Sequence, residues 1–354
     1  MNRTVTFAAS LILVWIIGYL LIAGRGLLIP IIIAIFIWHL LNTMNNAMQK
    51  LPYIGERFPY WLSMLLALLV TGLFVKLLID IIANNVNEVI VASSRYQDNL
   101  LRILNALDQH FNIKVMSYFD AIVKNLSVQR MLVNIYGVFT TITSSAVLIA
   151  LYVVFLFVEQ HFFWQKIDAL FPQQNHRQLV NNIITHIVKD TQTYLGLKTL
   201  MSLLTSTFSW LIMKWVGLDF AEFWALLIFF LNYIPNIGAI LATMFPAMLA
   251  LVQFDKWLPF FIVTFGITLV QFIVGNIIEP RFLGKSLNLS PLVILIALGV
   301  WGGIWGILGM FLSVPITVMM MIIFAHFEAT RPIAVLLSQD GYIKPAYEIL
   351  ERNF

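Results

Sequence analysis

"FAEFWALLIFFLNYIPNIGAILATMFPAMLALV", from Phe220 to Val252, is apolar at almost every position except its middle. There Asn232, Tyr233, Ile234, Pro235, Asn236 and Gly238 interrupt it. Pro235 has no N–H to give to a helix ladder and Gly238 frees the backbone, so the stretch predicts two half-helices joined by a turn. Irregular backbone at membrane depth is tolerated only where protein or a watery cavity surrounds it. Such a break therefore marks either a feature of architecture or a substrate site. Asn232, Pro235, Asn236 and Gly238, with Glu222 near the start of the first half, become candidates for a transport path.

The rest of the chain supports a membrane setting. Of its 354 residues 60% are hydrophobic and only 11% charged, with a mean hydropathy of +0.90; soluble domains carry about a quarter charged residues. Runs long enough to cross a bilayer, or nearly so, cover 5–23, 26–41, 61–83, 136–158, 200–216 and 258–278. The first follows Arg3 as a signal peptide would, but a second apolar run begins directly after Arg25, which favours a retained helix. Residues 292–327 are too long for one span and hold Gly299, Gly302, Gly303, Gly306 and Gly309, then Pro315. They read as a second hairpin or broken helix, or as glycines that let helices pack closely.

Two stretches fall outside this pattern. Residues 84–135 carry apolar side chains at helical spacing among charges that nearly cancel, which predicts an amphipathic extramembrane insert. Residues 159–198 carry another such stripe and predict a helix on the membrane surface or beside the bundle. The expected fold is all-α and polytopic, with about six full spans, two broken or re-entrant hairpins and an amphipathic insert. The expected organisation is membrane helices in 1–83, the insert in 84–135, a membrane helix with a surface helix in 136–199, a membrane core in 200–327 and a tail in 328–354.

The net charge of +4 reads as topology rather than as affinity for nucleic acid, because membrane proteins gather Lys and Arg in cytoplasmic loops. With a cytoplasmic N-terminus and both broken regions returning to the side they enter, twelve Lys and Arg fall inside and three in short outer loops. That bias obeys the positive-inside rule.

Catalytic signatures are missing. The absence of cysteine excludes disulfides, thiolate metal sites and cysteine nucleophiles. "GKS" at Gly284–Ser286 lacks the upstream glycine of a P-loop, since Glu279 stands there, and the six histidines have no ligand spacing. The expectation is no enzyme, no cofactor and no metal. Uphill transport would then draw on an ion or proton gradient or on a partner ATPase.

A polar stretch, "NIIEPRFLGKSLNLSP" from Asn276 to Pro291, lies between two very apolar segments. Gln271, Asn276, Glu279 and Arg281 add to the candidates. Pro280 predicts a helix end at Glu279, where a carboxylate needs a nearby cation, and Arg281 and Lys285 are at hand. Glu279 is then either a loop anchor or a coupling carboxylate. Lys76 and Asp80, four residues apart, read as a structural ion pair.

This stretch and the "LVILIALGVWGGIWGILGMFLSVPI" that follows it resemble the C-terminal signature of the autoinducer-2 exporter family, the PerM-like permeases. The matching residues are Glu279, Pro280, Arg281, Gly284, Lys285, Leu289, Ser290, Pro291, Gly302, Gly306, Gly309, Val314 and Pro315. The Ile-Pro-x-Ile-Gly turn of that family is similar to Ile234–Gly238, with Asn236 where an aromatic residue is common and Ala239 where proline is. The resemblance implies a multi-pass protein of the bacterial inner membrane that moves a small polar solute or a cation or proton, commonly outward. It also implies a homo-oligomer, taken as a ring and a candidate pentamer. A membrane scaffold or regulatory subunit and a passive channel are the alternatives. Membrane lipid and the solute are the expected partners.

Overall fold

A computed structural model describes residues 3–49, 145–283 and 288–341, with isolated positions of 62–99 between them. The insert expected at 84–135, most of the span at 61–83, Gly284 and Lys285, and the end of the tail lie outside the described residues. Helices are numbered over what is described: α1 Arg3–Ala23, α2 Arg25–Gln49, α3 Ala146–Leu170, α4 Gln174–Val216, α5 Ala221–Leu231, α6 Ile237–Gln253 and α7 Trp257–Phe272. A π-helical turn Ile273–Ile278 leads into α8 Glu279–Leu283, followed by α9 Pro291–Trp305, α10 Ile307–Ala325 and α11 Arg331–Leu337. The described residues are all-α, and five segments are long and apolar enough to cross a membrane: Arg25–Asn45, Ala146–Leu170, His176–Val216, Trp257–Phe282 and Ile307–Ala325. Large apolar side chains point outward along them, as on Val147, Trp215 and Phe265, which is how a fold solvated by lipid presents itself.

Helix boundaries differ from the sequence expectation along 159–198. The charged stretch 159–198 forms no separate surface helix. Its first part continues α3 to Leu170, and its second opens the 43-residue α4, which runs on without a break to Val216. Both parts have sound helical composition, and a composition change along a helix does not end it. Lys76 and Asp80 are exposed, and no ion pair among the described residues joins them.

The chain divides into two compact units. One comprises Met1–Tyr60, Ser145–Leu197 and Phe282–Phe354. Within it α2 packs on α3, where the Gln160 side-chain oxygen accepts hydrogen bonds from Trp38 Nε1 at 3.0 Å and Asn42 Nδ2 at 3.3 Å. Residues 291–325 form the second predicted hairpin, broken at Gly306, whose φ of 65° and ψ of −140° only glycine adopts readily. Three glycines play different parts there. Gly309 lies so close to the Trp301 carbonyl that a Cβ would sit 1.8 Å from its oxygen, Gly302 abuts Met310, and Gly303 faces open space. The chain past α11 returns to the hairpin's start: Ser290 N–H donates to the Leu337 carbonyl and Gln339 N–H to that of Asn288, both at 3.0 Å. Beneath this clasp Tyr194, Leu195, Leu289, Val314, Val318, Met321 and Ala334 form a core.

The other unit comprises Trp61–Ser144 and Lys198–Arg281. Its frame is α4 from Lys198 onward, the α5–α6 hairpin and α7. Val263 and Ile267 of α7 are completely buried. At Gly266, α7 comes so near Ile212 of α4 that a Cβ would lie 3.1 Å from Ile212 Cγ2. Both ends of the α5–α6 hairpin are fastened together, because Gln253 at the end of α6 accepts from Asp219 N–H at 2.8 Å and donates to the Gly217 carbonyl at 2.9 Å. The broken segment therefore comes back to the level at which it left.

Candidate functional site

The α5–α6 turn is non-helical over 232–236, as Pro235 dictates. Ile237 N–H reaches the Pro235 carbonyl at 2.6 Å, and between them Asn236 takes φ 59° and ψ −58°. This is a γ-turn with a positive central φ, a strained form that costs about 1–3 kcal/mol and that asparagine tolerates better than most residues. Gly238 is essential to it, since a Cβ there would fall 1.8 Å from the Leu231 carbonyl oxygen. Buried Tyr233 shares a 2.6 Å hydrogen bond with Thr199 of α4.

Beside that bond, two turns of α4 present Lys198, Ser202 and Thr205 toward the same side, four and three residues apart, all buried. Together with Met201, Asn232, Gln271, Val274, Gly275 and Glu279 they line a small cavity of about 20 Å³, room for one water-sized group. Lys198 Nζ donates to Glu279 Oε1 at 2.7 Å, and the two side chains are 11% and 20% exposed. Two polar atoms of the lining, Ser202 Oγ and Gln271 Nε2, are buried without a hydrogen-bond partner among the described residues. Burying such groups costs free energy unless something satisfies them, and the cavity has room for a polar group the size of a water.

Two expectations about Glu279 are corrected here. The helix does not end at Pro280: Glu279 has helical φ and ψ, and α8 continues to Leu283. A proline ring clashes with the carbonyl four residues back in a regular helix, and the π-turn relieves this by wider winding, with Glu279 N–H donating to the Val274 carbonyl five residues back. Nor, among the described residues, is the cation that holds Glu279 a local one. Arg281 is exposed and forms no ion pair among the described residues, Lys285 lies outside them, and the partner is Lys198.

Of the residues singled out from sequence, Asn232, Gln271 and Glu279 meet at the cavity. Pro235, Asn236 and Gly238 shape the turn that carries Asn232. Asn276 and Arg281 are exposed and do not line it. Glu222 stands apart, about 15 Å along α5 from Asn232, where it accepts from Lys214 Nζ at 2.7 Å and Trp210 Nε1 at 3.3 Å. Lys214 holds its carboxyl below the usual range; burial opposes this, and the Trp210 bond reinforces it. Lys198, Ser202 and Thr205 escaped the sequence reading, although the recurrence Lys198, Ser202, Thr205, Ser209 inside an apolar run is a polar stripe on one helix face.

Exposed Trp215 and Trp257 beside Lys214 and Lys256 mark one membrane interface, where such side chains concentrate. At 1.5 Å per residue Lys198 lies about 24 Å along α4 from Lys214, and Gln271 about 21 Å along α7 from Trp257. In a hydrocarbon layer about 30 Å thick the cavity is thus within the membrane and nearer its opposite face.

A multi-pass helical protein with a polar cavity beside a re-entrant turn is built as a membrane transporter. Residues 8–329 match the profile described as AI-2E family transporter, and the chain belongs to that family. It is 30% identical to the AI-2 transport protein TqsA of Escherichia coli K12, over 88% of this chain and 89% of that protein. It is also 29% identical to a Haemophilus influenzae protein with a provisional transport-protein name, over 95% of this chain and 96% of that protein. A provisionally named transport protein of E. coli K12, YhhT, is 27% identical over 89% of each chain.

Proposed function

We infer that this transporter moves a small polar solute or an ion through the cavity between α4, the 232–236 turn and the π-turn. The observation that carries this is the Lys198–Glu279 pair facing a cavity in which Ser202 Oγ and Gln271 Nε2 have no partner among the described residues. Ionisable groups at membrane depth are costly and mark solute or proton pathways. Passage is outward, passive or driven by a gradient, across a bacterial inner membrane, with the N-terminus cytoplasmic and the protein a homo-oligomer. The cavity then lies toward the cytoplasm, which suits collection of cargo for export.

Flux of labelled polar solutes and cations from vesicles containing the purified protein, with and without an imposed proton gradient, tests this. Release above that of protein-free vesicles is expected for at least one solute and should be lost on Ser202→Leu, which fills the cavity. Flux untouched by that variant would move the path elsewhere. No flux for any solute would favour a membrane scaffold.

A further inference from the structure

The cavity at the Lys198–Glu279 pair is small, and its size and charge together decide what it can hold. Its volume of about 20 Å³ exceeds the roughly 10–15 Å³ that a single buried water needs, and suits one group of that size. Lys198 and Glu279 already neutralise each other at 2.7 Å, so a cation entering the space would face the lysine ammonium and an anion the glutamate carboxylate. The guest is therefore neutral.

It must also bond what the lining leaves over. Ser202 Oγ and Gln271 Nε2 have no partner among the described residues, and Glu279, which accepts from Lys198 through Oε1, has further lone pairs. Thr205 is already used as a donor, since its hydroxyl goes to the Met201 carbonyl at 2.9 Å. A water accepts from the Gln271 amide, donates to Glu279 and bonds the Ser202 hydroxyl in either sense, which gives it three partners, the usual number for a buried water. We propose that the cavity is a binding site for one water molecule, held by Ser202 of α4, Gln271 of α7 and Glu279, and that this water solvates the ion pair inside the membrane. An ion pair taken out of water keeps much of its desolvation cost, and a water bonded to the carboxylate returns part of the lost hydration. The site does not depend on whether a solute passes here.

The test compares melting temperatures in one detergent for wild type, Ser202→Ala, Gln271→Leu and the Ser202→Ala/Gln271→Leu double variant. Each single change should lower the melting temperature by about 2–4 °C. The double should lose clearly less than the sum, because the second change finds the bridge already broken. In a dry cavity each single change would remove a buried group that has no partner, so an unchanged or raised melting temperature overturns the site. Simple addition in the double overturns the bridge. Ser202→Ala should also cost less in the Lys198→Met/Glu279→Met background, and an equal cost there would overturn the solvating role. Wild-type protein crystallised at a resolution that shows ordered water gives a readout independent of the variants' folding: a peak is expected about 2.7–3.2 Å from both Ser202 Oγ and Gln271 Nε2. No peak would overturn the proposal, and so would one that gains anomalous signal when thallium or bromide replaces the buffer ions, since the guest would then be an ion.

Discussion

Glu279 shows how one carboxylate can brace a structure and line a cavity at once. Its 2.7 Å contact with Lys198 joins α4 to the segment after the π-turn. Glu279→Gln and Lys198→Met should each lower stability by about 2 kcal/mol, less than for a fully buried pair because both side chains retain some exposure. The Glu279→Gln/Lys198→Met double variant should recover about half of the summed loss, and Arg281→Ala should change stability by less than about 0.5 kcal/mol. Thermal unfolding in one detergent checks all four, and a double variant as unstable as the sum of the singles would contradict the pairing. Glu222 allows a prediction in pH. Its carboxyl is lowered chiefly by Lys214, so the stabilisation is present above its ordinary value of 4.5 and is lost as pH falls through the lower value of the folded protein. The pair is well exposed, with 60% of the lysine and 40% of the glutamate side chain accessible, so the effect stays below about 1 kcal/mol. Glu222→Gln should accordingly lose less stability than wild type between pH 5 and pH 3, and parallel melting curves across that range would refute it.

Both interrupted helices turn on a glycine set against the carbonyl of the preceding half-helix, Gly238 on Leu231 and Gly309 on Trp301. Gly238→Ala should cost about 3 kcal/mol or more, since backbone must move to admit the methyl group. Gly303→Ala, with nothing within 4 Å of its Cβ, should gain about 0.5–1 kcal/mol from helix propensity. Chemical denaturation of the two variants measures this contrast, and equal effects would mean that the turn is looser than described. The breaks themselves were legible in the sequence, because proline and glycine act locally and announce themselves wherever they stand in an apolar run. Asn232, Gln271 and Glu279 could be picked out because a polar residue at membrane depth is conspicuous. Lys198 could not be matched to Glu279, since 81 residues separate them and spacing arguments reach only one or two turns. The π-turn was equally hidden: Pro280 alone reads as a stop, and whether a helix ends or widens there depends on what its neighbours can hold in place. The insert at 84–135 lies outside the described residues.

Because the chain has no cysteine, single cysteines can report on topology without background. Asp219→Cys and Asp255→Cys flank the α5–α6 hairpin and should react with an impermeant thiol reagent from the same side of intact cells, the periplasmic one. Arg281→Cys, at the far end of the span Trp257–Phe282, should react only after the cytoplasmic face is opened. Labelling of Asp219 and Asp255 positions from opposite sides would mean that the broken segment crosses the membrane, and uniform reversal would place the N-terminus outside. The Gln253 clip bears on how such a molecule is made. A translocon releases into lipid segments of about 20 apolar residues, and α5, with 11 residues, cannot leave as a span. Its turn also exposes backbone groups that lipid cannot satisfy. The hairpin must therefore wait until the helices on either side of it have been synthesised and inserted, then slip between them and be locked at its base by Gln253. The cavity is thus among the last parts of the protein to exist, and ribosome-bound chains that end before α7 should lack it.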